Sequence, residues 1–288
     1  MKILFLGYGP IAIELCKKIY SADQTIEFNA ISRFKNERTN FSVIRINSLI
    51  ESVKNLDFNT FDIVINSWRS IEGPEMSQKM LILQKISQSK KKPSMFLNLS
   101  SVAVYGSNEK IVHEDSKLNP INKYGRDKLF IEETLNTIFN QNYINLRISN
   151  VFGLLEFSDF INACIKSYLR KETLTITNPS DTSRDFIHID SVVSMIFQLS
   201  YKNSIPLINK FQTFNLCSGI SFSLAKIIDL FNTITHNELK YSITTAPTNM
   251  ILKSLIDNTK ISRTLEFYIE NPQRALSEYI NEATSRSL

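Results

Sequence analysis

Residues 3–12 read Ile-Leu-Phe-Leu-Gly-Tyr-Gly-Pro-Ile-Ala, and this stretch indicates the fold. Its four leading apolar residues predict a strand that is buried on both faces of a parallel sheet. Two glycines follow at once, and apolar residues then recur at helical spacing up to Ile19. A strand, a glycine turn and a helix in this order present backbone N–H groups to a pyrophosphate at the helix N-terminus. The candidate cofactor-binding residues of this turn are therefore Gly7, Gly9, Pro10 and Ile11.

The end of the second predicted strand, over residues 26–32, indicates which dinucleotide binds. About 20 residues beyond the glycines, an NAD enzyme usually places an acid on the ribose 2′-hydroxyl, whereas an Arg accommodates a 2′-phosphate. No acid ends this strand, which runs into Ser32 and Arg33. We therefore predict that these two residues bind NADP(H), with NAD(H) as the alternative cofactor.

Strands and helices alternate along the amino-terminal half, with further strands predicted at 43–46, 61–65, 95–99 and 143–148. This alternation predicts an α/β protein with a Rossmann-type doubly wound parallel sheet. Asn47, Ser67 and Trp68 follow strands at the edge where a cofactor binds, so they are candidate cofactor contacts. Beyond residue 153 the pattern loosens. We expect an NAD(P)-binding domain over 1–153 plus part of 184–216, and a smaller carboxy-terminal α/β substrate-binding part, mainly 154–288.

The composition indicates a globular protein that binds small ligands. The chain has 288 residues, of which 43% are hydrophobic and 21% charged, as in a globular protein with a full core. No run of about 18 apolar residues occurs, so no membrane span is predicted. The net charge of +5 is mild and spread along the chain, which suits anionic small ligands better than nucleic acid. Three scattered cysteines without metal-ligand spacing indicate core thiols in a reducing cytoplasm and no metal site.

The stretch from Asn98 to Lys128 carries the predicted chemistry. A hydrophobic strand runs into two serines, and a helix opens near Tyr124. Tyr124 and Lys128 are four residues apart, so they lie one turn from each other on one helix face. An ammonium beside a phenol favours the phenolate, which makes Tyr124 a candidate general acid/base. A serine hydroxyl at the end of the neighbouring strand is placed to hold a substrate oxygen.

With these motifs the chain resembles the extended short-chain dehydrogenase/reductases, in particular the nucleotide-sugar epimerase/dehydratase group. The resemblance covers essentially the whole length, with seven motifs in the expected order. They are the glycine loop at Gly7, Ser-Ser-Val-Ala-Val-Tyr-Gly106, Tyr124-Gly-Arg-Asp-Lys128 with Glu132, Arg147-Ile-Ser-Asn150, Arg184-Asp-Phe-Ile-His-Ile-Asp190, Phe214-Asn-Leu-Cys-Ser-Gly219 and Asp257-Asn-Thr-Lys260.

The resemblance implies a role for individual residues. Tyr124 would be the catalytic acid/base, and Lys128 would hold the nicotinamide ribose and lower the pKa of Tyr124. Ser101 would be the catalytic hydroxyl, four residues before the tyrosine of Val-Tyr-Gly, with Ser100 as its neighbour at the substrate. Asn47 stands where the family often has an Asp that touches the adenine.

The resemblance also implies the substrate-binding residues. Asn150 would touch the phosphates or ribose of the nucleotide sugar, and Arg184 the diphosphate, for which a guanidinium is well suited. Several positions depart from the family pattern: the glycine spacing is shortened, Ser67-Trp68 replaces a pair of small residues, and a second phosphate-binding Arg is missing. Lys253 is the candidate substitute for that Arg.

Three reactions share this scaffold. A 4,6-dehydratase needs an Asp-Glu pair just after the catalytic hydroxyl, where this chain has Val102 and Ala103, so dehydration is rejected. The basic end of the second strand favours an NADPH-dependent reductase of a nucleotide-linked 4-keto-6-deoxy sugar. Alternatives are a nucleotide-sugar 4-epimerase with bound NAD and a non-catalytic NADP-binding sensor or scaffold. The resemblance further implies a cytoplasmic homodimer that uses a dTDP-, UDP- or GDP-linked substrate in surface polysaccharide (O-antigen) biosynthesis.

Overall fold

The structure is a computed structural model, and it describes residues 1–32, 44–45, 56–73, 75–139, 143–201, 212–236, 239–245, 247 and 250–285. The chain divides into two compact units. The first, called here the sheet unit, comprises Met1–Ser101, Arg126–Arg147 and Val193–Phe214. The second, called the carboxy-terminal unit, comprises Val102–Gly125, Ile148–Val192 and Asn215–Leu288.

A seven-stranded sheet organises the first half of the chain. Its strands are β1 (Lys2–Leu6), β2 (Glu27–Ile31), β3 (Ile44–Arg45), β4 (Ile63–Asn66), β5 (Met95–Ser101), β6 (Tyr143–Ile148) and β10 (Gln212–Leu216). They lie in the order β10-β6-β5-β4-β1-β2-β3, and β5, β4, β1, β2 and β3 pair in parallel. The order 3-2-1-4-5-6 is that of a dinucleotide-binding doubly wound sheet, which confirms the predicted fold class.

Three helices accompany this sheet: α1 (Pro10–Ala22), α2 (Met76–Gln88) and α3 (Lys123–Ile138). Their apolar faces explain why they pack. Ile82, Leu83 and Ile86 of α2, with Ile131 and Leu135 of α3, join one buried cluster with sheet residues such as Leu4, Val64 and Phe96. Burying an aliphatic or aromatic side chain contributes about 1.5–3 kcal/mol, so this cluster holds the helices to the strands.

Smaller elements build the carboxy-terminal unit. Its strands are β7 (Asn150–Phe152), β8 (Leu174–Thr177), β9 (Ser183–His188), β11 (Ser221–Ser223) and β12 (Tyr241–Thr244). They form a three-stranded sheet, β11-β9-β7, and a two-stranded sheet, β12-β8. Its helices are α4 (Phe160–Arg170), α6 (Leu224–Thr235), α7 (Thr259–Leu265) and α8 (Pro272–Ser285), whereas α5 (Ile189–Ser200) begins in this unit and belongs to the sheet unit from Val193 onward. A second apolar cluster, with Phe186, Phe222 and Leu276 among its members, lies between α4, α6, α8 and the strands.

In the Arg184–Asp190 motif, the sequence pattern predicts Asp190 at the N-cap of a helix over 192–199. This prediction is wrong, because α5 begins at Ile189 and Asp190 lies in its first turn. The reason is that β9 ends at His188 and passes into the helix with no loop between them. Nδ1 of His188 accepts the backbone N–H of Asp190 at 3.3 Å. The carboxylate of Asp190 instead stands near the positive end of the helix dipole.

Candidate active site

The strand β5 ends at Ser101, and a 3-10 turn, Val102–Tyr105, follows directly. Successive residues of a strand point to opposite faces, so Ser100 and Ser101 face different sides of the sheet. Both side chains are buried, Ser101 with 8% of its surface exposed. The hydroxyl of Ser100 donates to the carboxylate of Glu132 on α3. The substrate-binding role that the resemblance gives to Ser100 stays a prediction.

Lys128 is seated at the carboxyl ends of β4 and β5. Its ammonium donates to the carbonyl oxygens of Trp68 and Leu99, at 2.8 and 2.7 Å. The residue is 5% exposed. Burial lowers the pKa of this lysine from 10.5 to about 8; the charge of Glu132 raises it and that of Arg69 lowers it. A lysine with this pKa is still mainly protonated at pH 7.

Glu132 lies one turn after Lys128 and forms a buried ion pair with Arg147 of β6. Nη2 of Arg147 lies 2.8 Å from Oε2 of Glu132, and Nε donates at 3.2 Å to Oε1. The two side chains are 6% and 4% exposed. With Ser100 on the same carboxylate, these three side chains form what we call the glutamate cluster. The sequence motifs contained Glu132 and Arg147 without a role for either residue.

Within the carboxy-terminal unit, the start of α3 packs closely on the turn that follows β5. A Cβ built on Gly125 would lie 2.5 Å from the carbonyl oxygen of Ala103 and 3.0 Å from Cβ of Pro120. Glycine at this position therefore permits the backbone of the helix to approach the turn. Tyr124 precedes Gly125, and 36% of its surface is exposed. It lies one helical turn before Lys128 on α3, as the spacing predicted.

The glycine turn after β1 has the properties of a phosphate cradle. Gly7 has φ +92°, which glycine adopts without strain, and a Cβ there would lie 2.8 Å from Oγ of Ser67. Gly9 occupies the N-cap of α1 with Pro10 and Ile11 next in the first turn, and no side chain caps this helix end. No atom of the described residues lies within 4 Å of a Cβ built on Gly9. The first-turn N–H groups and the open space at Gly9 fit the pyrophosphate of a dinucleotide.

The neighbouring strand ends carry the other predicted cofactor contacts. Oγ of Ser67 donates to the carbonyls of Leu6 and Gly7, at 3.2 and 3.0 Å, and so ties the end of β4 to the glycine turn. Trp68 is buried, and Lys79 of α2 lies 5.6 Å above its ring. Ser32 follows β2 and is half-buried. Arg33 and Asn47 lie outside the described residues.

The three predicted substrate-binding residues that follow β6, Asn150, Arg184 and Lys253, lie in the carboxy-terminal unit. Nδ2 of Asn150 donates to the carbonyl of Asp185 at 2.8 Å. The guanidinium of Arg184 donates to the carbonyls of Ser183, Ile251 and Leu252, and burial lowers its pKa to about 10. Nζ of Lys253 lies 3.2 Å from Oε1 of Glu109. Their phosphate-binding roles stay predictions.

The sheet unit also contains a buried amide ladder that was not predicted from the sequence. Nδ2 of Asn66 donates to Oδ1 of Asn98 at 2.8 Å, and Nδ2 of Asn98 donates to Oδ1 of Asn145 at 2.7 Å. The three residues lie on β4, β5 and β6 and are 0%, 0% and 1% exposed. Oδ1 of Asn66 accepts the N–H of Trp68 at 3.2 Å. The ladder thus fixes the peptide segment whose carbonyl receives Lys128; the signal for it was an Asn inside each of three apolar strands.

The described part of the chain holds no group of three or more His, Cys, Asp or Glu side chains arranged to bind a metal ion. Among the helices that the structure describes, none is long and apolar enough to cross a membrane.

Residues 75–211 match the family model described as NAD dependent epimerase/dehydratase family. The match covers residues 75–211, which is 137 of the 288 residues, so it is this part of the chain that is similar to the family. The matched segment contains β5, α3 and β6, and with them Ser101, Tyr124, Lys128 and the glutamate cluster. The family resemblance stated from the motifs is therefore confirmed.

The sequence identity to individual relatives is low. An uncharacterized UDP-glucose epimerase of Bacillus subtilis is 28% identical over 212 residues, 70% of this chain and 65% of that protein. A GDP-6-deoxy-D-talose 4-dehydrogenase of Aggregatibacter actinomycetemcomitans is 27% identical over 147 residues, 50% of this chain and 48% of that protein. Less than two thirds of either relative is thus matched. The crystal structure of UDP-glucuronic acid 4-epimerase from Bacillus cereus, in complex with UDP-glucuronic acid and NAD, is 18% identical, covers 100% of both chains and has a TM-score of 0.79. That likeness shows the shared fold.

Proposed function

We propose that the protein is an NADPH-dependent reductase of a nucleotide-linked 4-keto-6-deoxy sugar. The observation that carries this proposal is the position of Lys128, buried on the carbonyls of Leu99 and Trp68 one helical turn after Tyr124. Ser101 ends the strand to which Leu99 belongs. A charged lysine near a phenol, beside a serine at a sheet edge, is suited to proton transfer at a carbonyl oxygen.

In this proposal the chain's own residues handle the proton. The nicotinamide supplies hydride to C4 when the cofactor is bound. The carbonyl oxygen, on which negative charge develops, accepts a hydrogen bond from the hydroxyl of Ser101 and takes a proton from Tyr124. The positive charge of Lys128 stabilises the resulting phenolate, which regains a proton from solvent. One ketone and one NADPH with one proton thus give one alcohol and NADP⁺.

The choice of reduction rests on Arg33 and on the two residues after Ser101. An Arg at the end of β2 suits a 2′-phosphate. Val102 and Ala103 have no proton to exchange, which argues against dehydration. The name of the Aggregatibacter relative describes redox chemistry at position 4 of a GDP-linked 6-deoxy sugar, and this supports the same type of reaction. A cytoplasmic homodimer that serves surface polysaccharide (O-antigen) biosynthesis is part of the proposal.

A second candidate is a nucleotide-sugar 4-epimerase, for which a tightly bound NAD would supply reversible hydride transfer at C4. The name of the Bacillus subtilis relative and the crystal structure from Bacillus cereus with NAD favour it. The same Tyr124, Lys128 and Ser101 would then first accept and later return the proton.

The two candidates differ in whether NADPH is consumed. The purified protein is mixed with NADPH and a panel of dTDP-, UDP- and GDP-linked 4-keto sugars, and the absorbance of NADPH is followed. Oxidation with at least one sugar is expected. If none reacts, NAD copurifies with the protein and a UDP-sugar is converted into its C4 epimer, the epimerase replaces the reductase. Binding of NADPH with no turnover in either assay would favour the non-catalytic sensor.

The cofactor assignment is tested separately. Arg33→Asp should raise the Kd for NADPH relative to that for NADH by at least about tenfold, because a carboxylate repels the 2′-phosphate. Arg170→Asp, on the exposed end of α4, is the matched control and should leave the ratio unchanged. An unchanged ratio in the Arg33 variant would overturn the NADP(H) assignment.

A further inference from the structure

The glutamate cluster is a buried charged group behind the candidate active site. Its carboxylate accepts from the guanidinium of Arg147 and from the hydroxyl of Ser100. Burying charges costs several kcal/mol for each ion unless partners compensate, and apolar side chains of similar size often stabilise a protein as well or better. Stability alone therefore does not explain an ion pair in this position.

The charged and titratable groups around Lys128 come from several elements. Glu132 lies on the same helix, one turn away, and its charge raises the pKa of Lys128. Arg69 lies on the segment after β4, and its charge lowers this pKa. Arg147 on β6 is held by the carboxylate of Glu132. Tyr143, also on β6, is buried, and its pKa is raised well above 10 chiefly by that burial, so its phenol stays neutral. Tyr124 lies one turn before Lys128.

Among these groups, Glu132 is the carboxylate whose charge raises the pKa of Lys128. The carbonyls of Trp68 and Leu99 supply only dipoles. Burial alone disfavours the ammonium form, and Arg69 disfavours it further. The carboxylate of Glu132, one turn along the helix, opposes these two effects in part. Its position is fixed because Ser100 and Arg147 hold both carboxylate oxygens.

We propose that Glu132 is a positioning residue that keeps the ammonium of Lys128 charged and seated on its two carbonyls, with Ser100 and Arg147 holding the carboxylate in place. This inference rests on the proposed function, since a charged Lys128 matters because it stabilises the phenolate of Tyr124. It assigns Glu132 no contact with substrate or cofactor.

The test uses the full chain without cofactor or substrate. Protein grown on ¹³C-labelled lysine is titrated by NMR, and the Lys128 signal is assigned by its loss in Lys128→Arg. In Glu132→Gln the pKa of Lys128 should fall by at least about one unit below that of the parent, because glutamine keeps the shape of the glutamate side chain and removes its negative charge. The matched control is Glu133→Gln, the next residue of α3, which is exposed and should leave the titration unchanged.

Two outcomes would overturn the inference. One is a Lys128 titration in Glu132→Gln that coincides with the parent. The other needs no folded variant: a parent Lys128 that titrates below pH 7, since such a lysine would be neutral at the pH where it is meant to act. The NMR titration measures no turnover, so its result does not depend on whether any sugar of the panel is reduced.

A kinetic measurement on the loaded enzyme adds a second readout. If deprotonation of Lys128 sets the alkaline limb of the kcat profile, Glu132→Gln should move this limb to lower pH by the same shift that NMR shows. A merely structural role for Glu132 would lower kcat equally at every pH, and that outcome would overturn the inference.

Discussion

The ammonium of Lys128 donates a hydrogen bond to the carbonyl oxygen of Leu99 over 2.7 Å, in a site where the lysine is 5% exposed. This contact joins α3 to the strand that ends in Ser101. Burial also makes Lys128 a cation whose proton is held less tightly in the folded protein than in the unfolded chain.

The first prediction concerns stability against pH. The pKa of Lys128 is about 8 when folded and near 10.5 when unfolded, so between these values the unfolded chain binds the extra proton. The free energy of unfolding therefore rises with pH in this window, by up to about 3 kcal/mol for this residue. Lys128→Met removes the effect. Urea unfolding at pH 7.5 to 10 should show the parent gaining stability relative to this variant.

The control for that measurement is Lys90→Met, since Lys90 is exposed. Its stability should run parallel to the parent across the same pH range. A difference between parent and Lys128→Met that stays constant, or shrinks as pH rises, would contradict the assignment of a depressed pKa to Lys128.

Tyr124→Phe tests the proposed proton donor. Removing a general acid should lower kcat by about 10²–10⁴-fold, while NADPH affinity changes little. Because 36% of Tyr124 is exposed, the free energy of unfolding should change by less than about 0.5 kcal/mol. Tyr268→Phe is the control, since that side chain is 82% exposed. Equal turnover in Tyr124→Phe and the parent would exclude Tyr124 as the acid.

Gly9→Ala should separate cofactor binding from stability. Gly9 has φ −103°, and a Cβ there meets no described atom within 4 Å, so unfolding by urea should change by less than about 1 kcal/mol. A bound pyrophosphate, however, would meet the new methyl group, and the Kd for NADPH should rise at least about tenfold. Unchanged affinity would show that the pyrophosphate does not approach Gly9.

Gly125→Ala, unlike Gly9→Ala, should lower the free energy of unfolding. The new Cβ would lie 2.5 Å from the carbonyl oxygen of Ala103, and neither backbone segment can relieve this contact by a side-chain rotation. We expect a loss of about 1–3 kcal/mol in the free energy of unfolding. Turnover should fall as well, because the turn of α3 that carries Tyr124 is displaced. A variant with parental stability would contradict the close approach seen here.

Much of this architecture was predictable from local pattern. Continuous apolar runs located β1, β5 and β6 to within two residues, and the Tyr124–Lys128 spacing was enough to place both on one helix. Short elements such as β11 and β12 were missed, because strands of three or four residues carry too little periodicity to distinguish them from loops. They form only through pairing with β9 and β8.

The pairing of buried polar groups was not predictable. Glu132 and Arg147 are separated by 15 residues, and only the crossover from α3 into β6 brings them together. The sequence marked each as part of a motif but not as a pair. The carbonyls that accept from Lys128 were not predictable either. Every residue has a backbone carbonyl, so the residue type does not show which one accepts a given hydrogen bond.

The last prediction compares substitutions at two members of the amide ladder, because each leaves a different set of buried amide groups without a partner. Asn98 is the middle rung, donating to Asn145 and accepting from Asn66. Asn98→Leu leaves a buried donor on Asn66 and a buried acceptor on Asn145, and each unsatisfied group costs about 1–3 kcal/mol. Asn145→Leu removes the acceptor of Nδ2 of Asn98, but it also removes a buried Nδ2 that has no partner among the described residues.

We therefore expect Asn98→Leu to lower the free energy of unfolding by about 2–5 kcal/mol and Asn145→Leu by clearly less. Asn136→Leu, at an exposed position of α3, is the control and should change it by less than about 0.5 kcal/mol. Urea unfolding of the three variants measures the order. Equal losses at Asn98 and Asn145 would mean that the ladder does not act as a connected chain of hydrogen bonds. Since Asn66 also accepts the N–H of Trp68, a loosened ladder should in addition weaken the seat of Lys128, and the Asn98 variant should lose turnover together with stability.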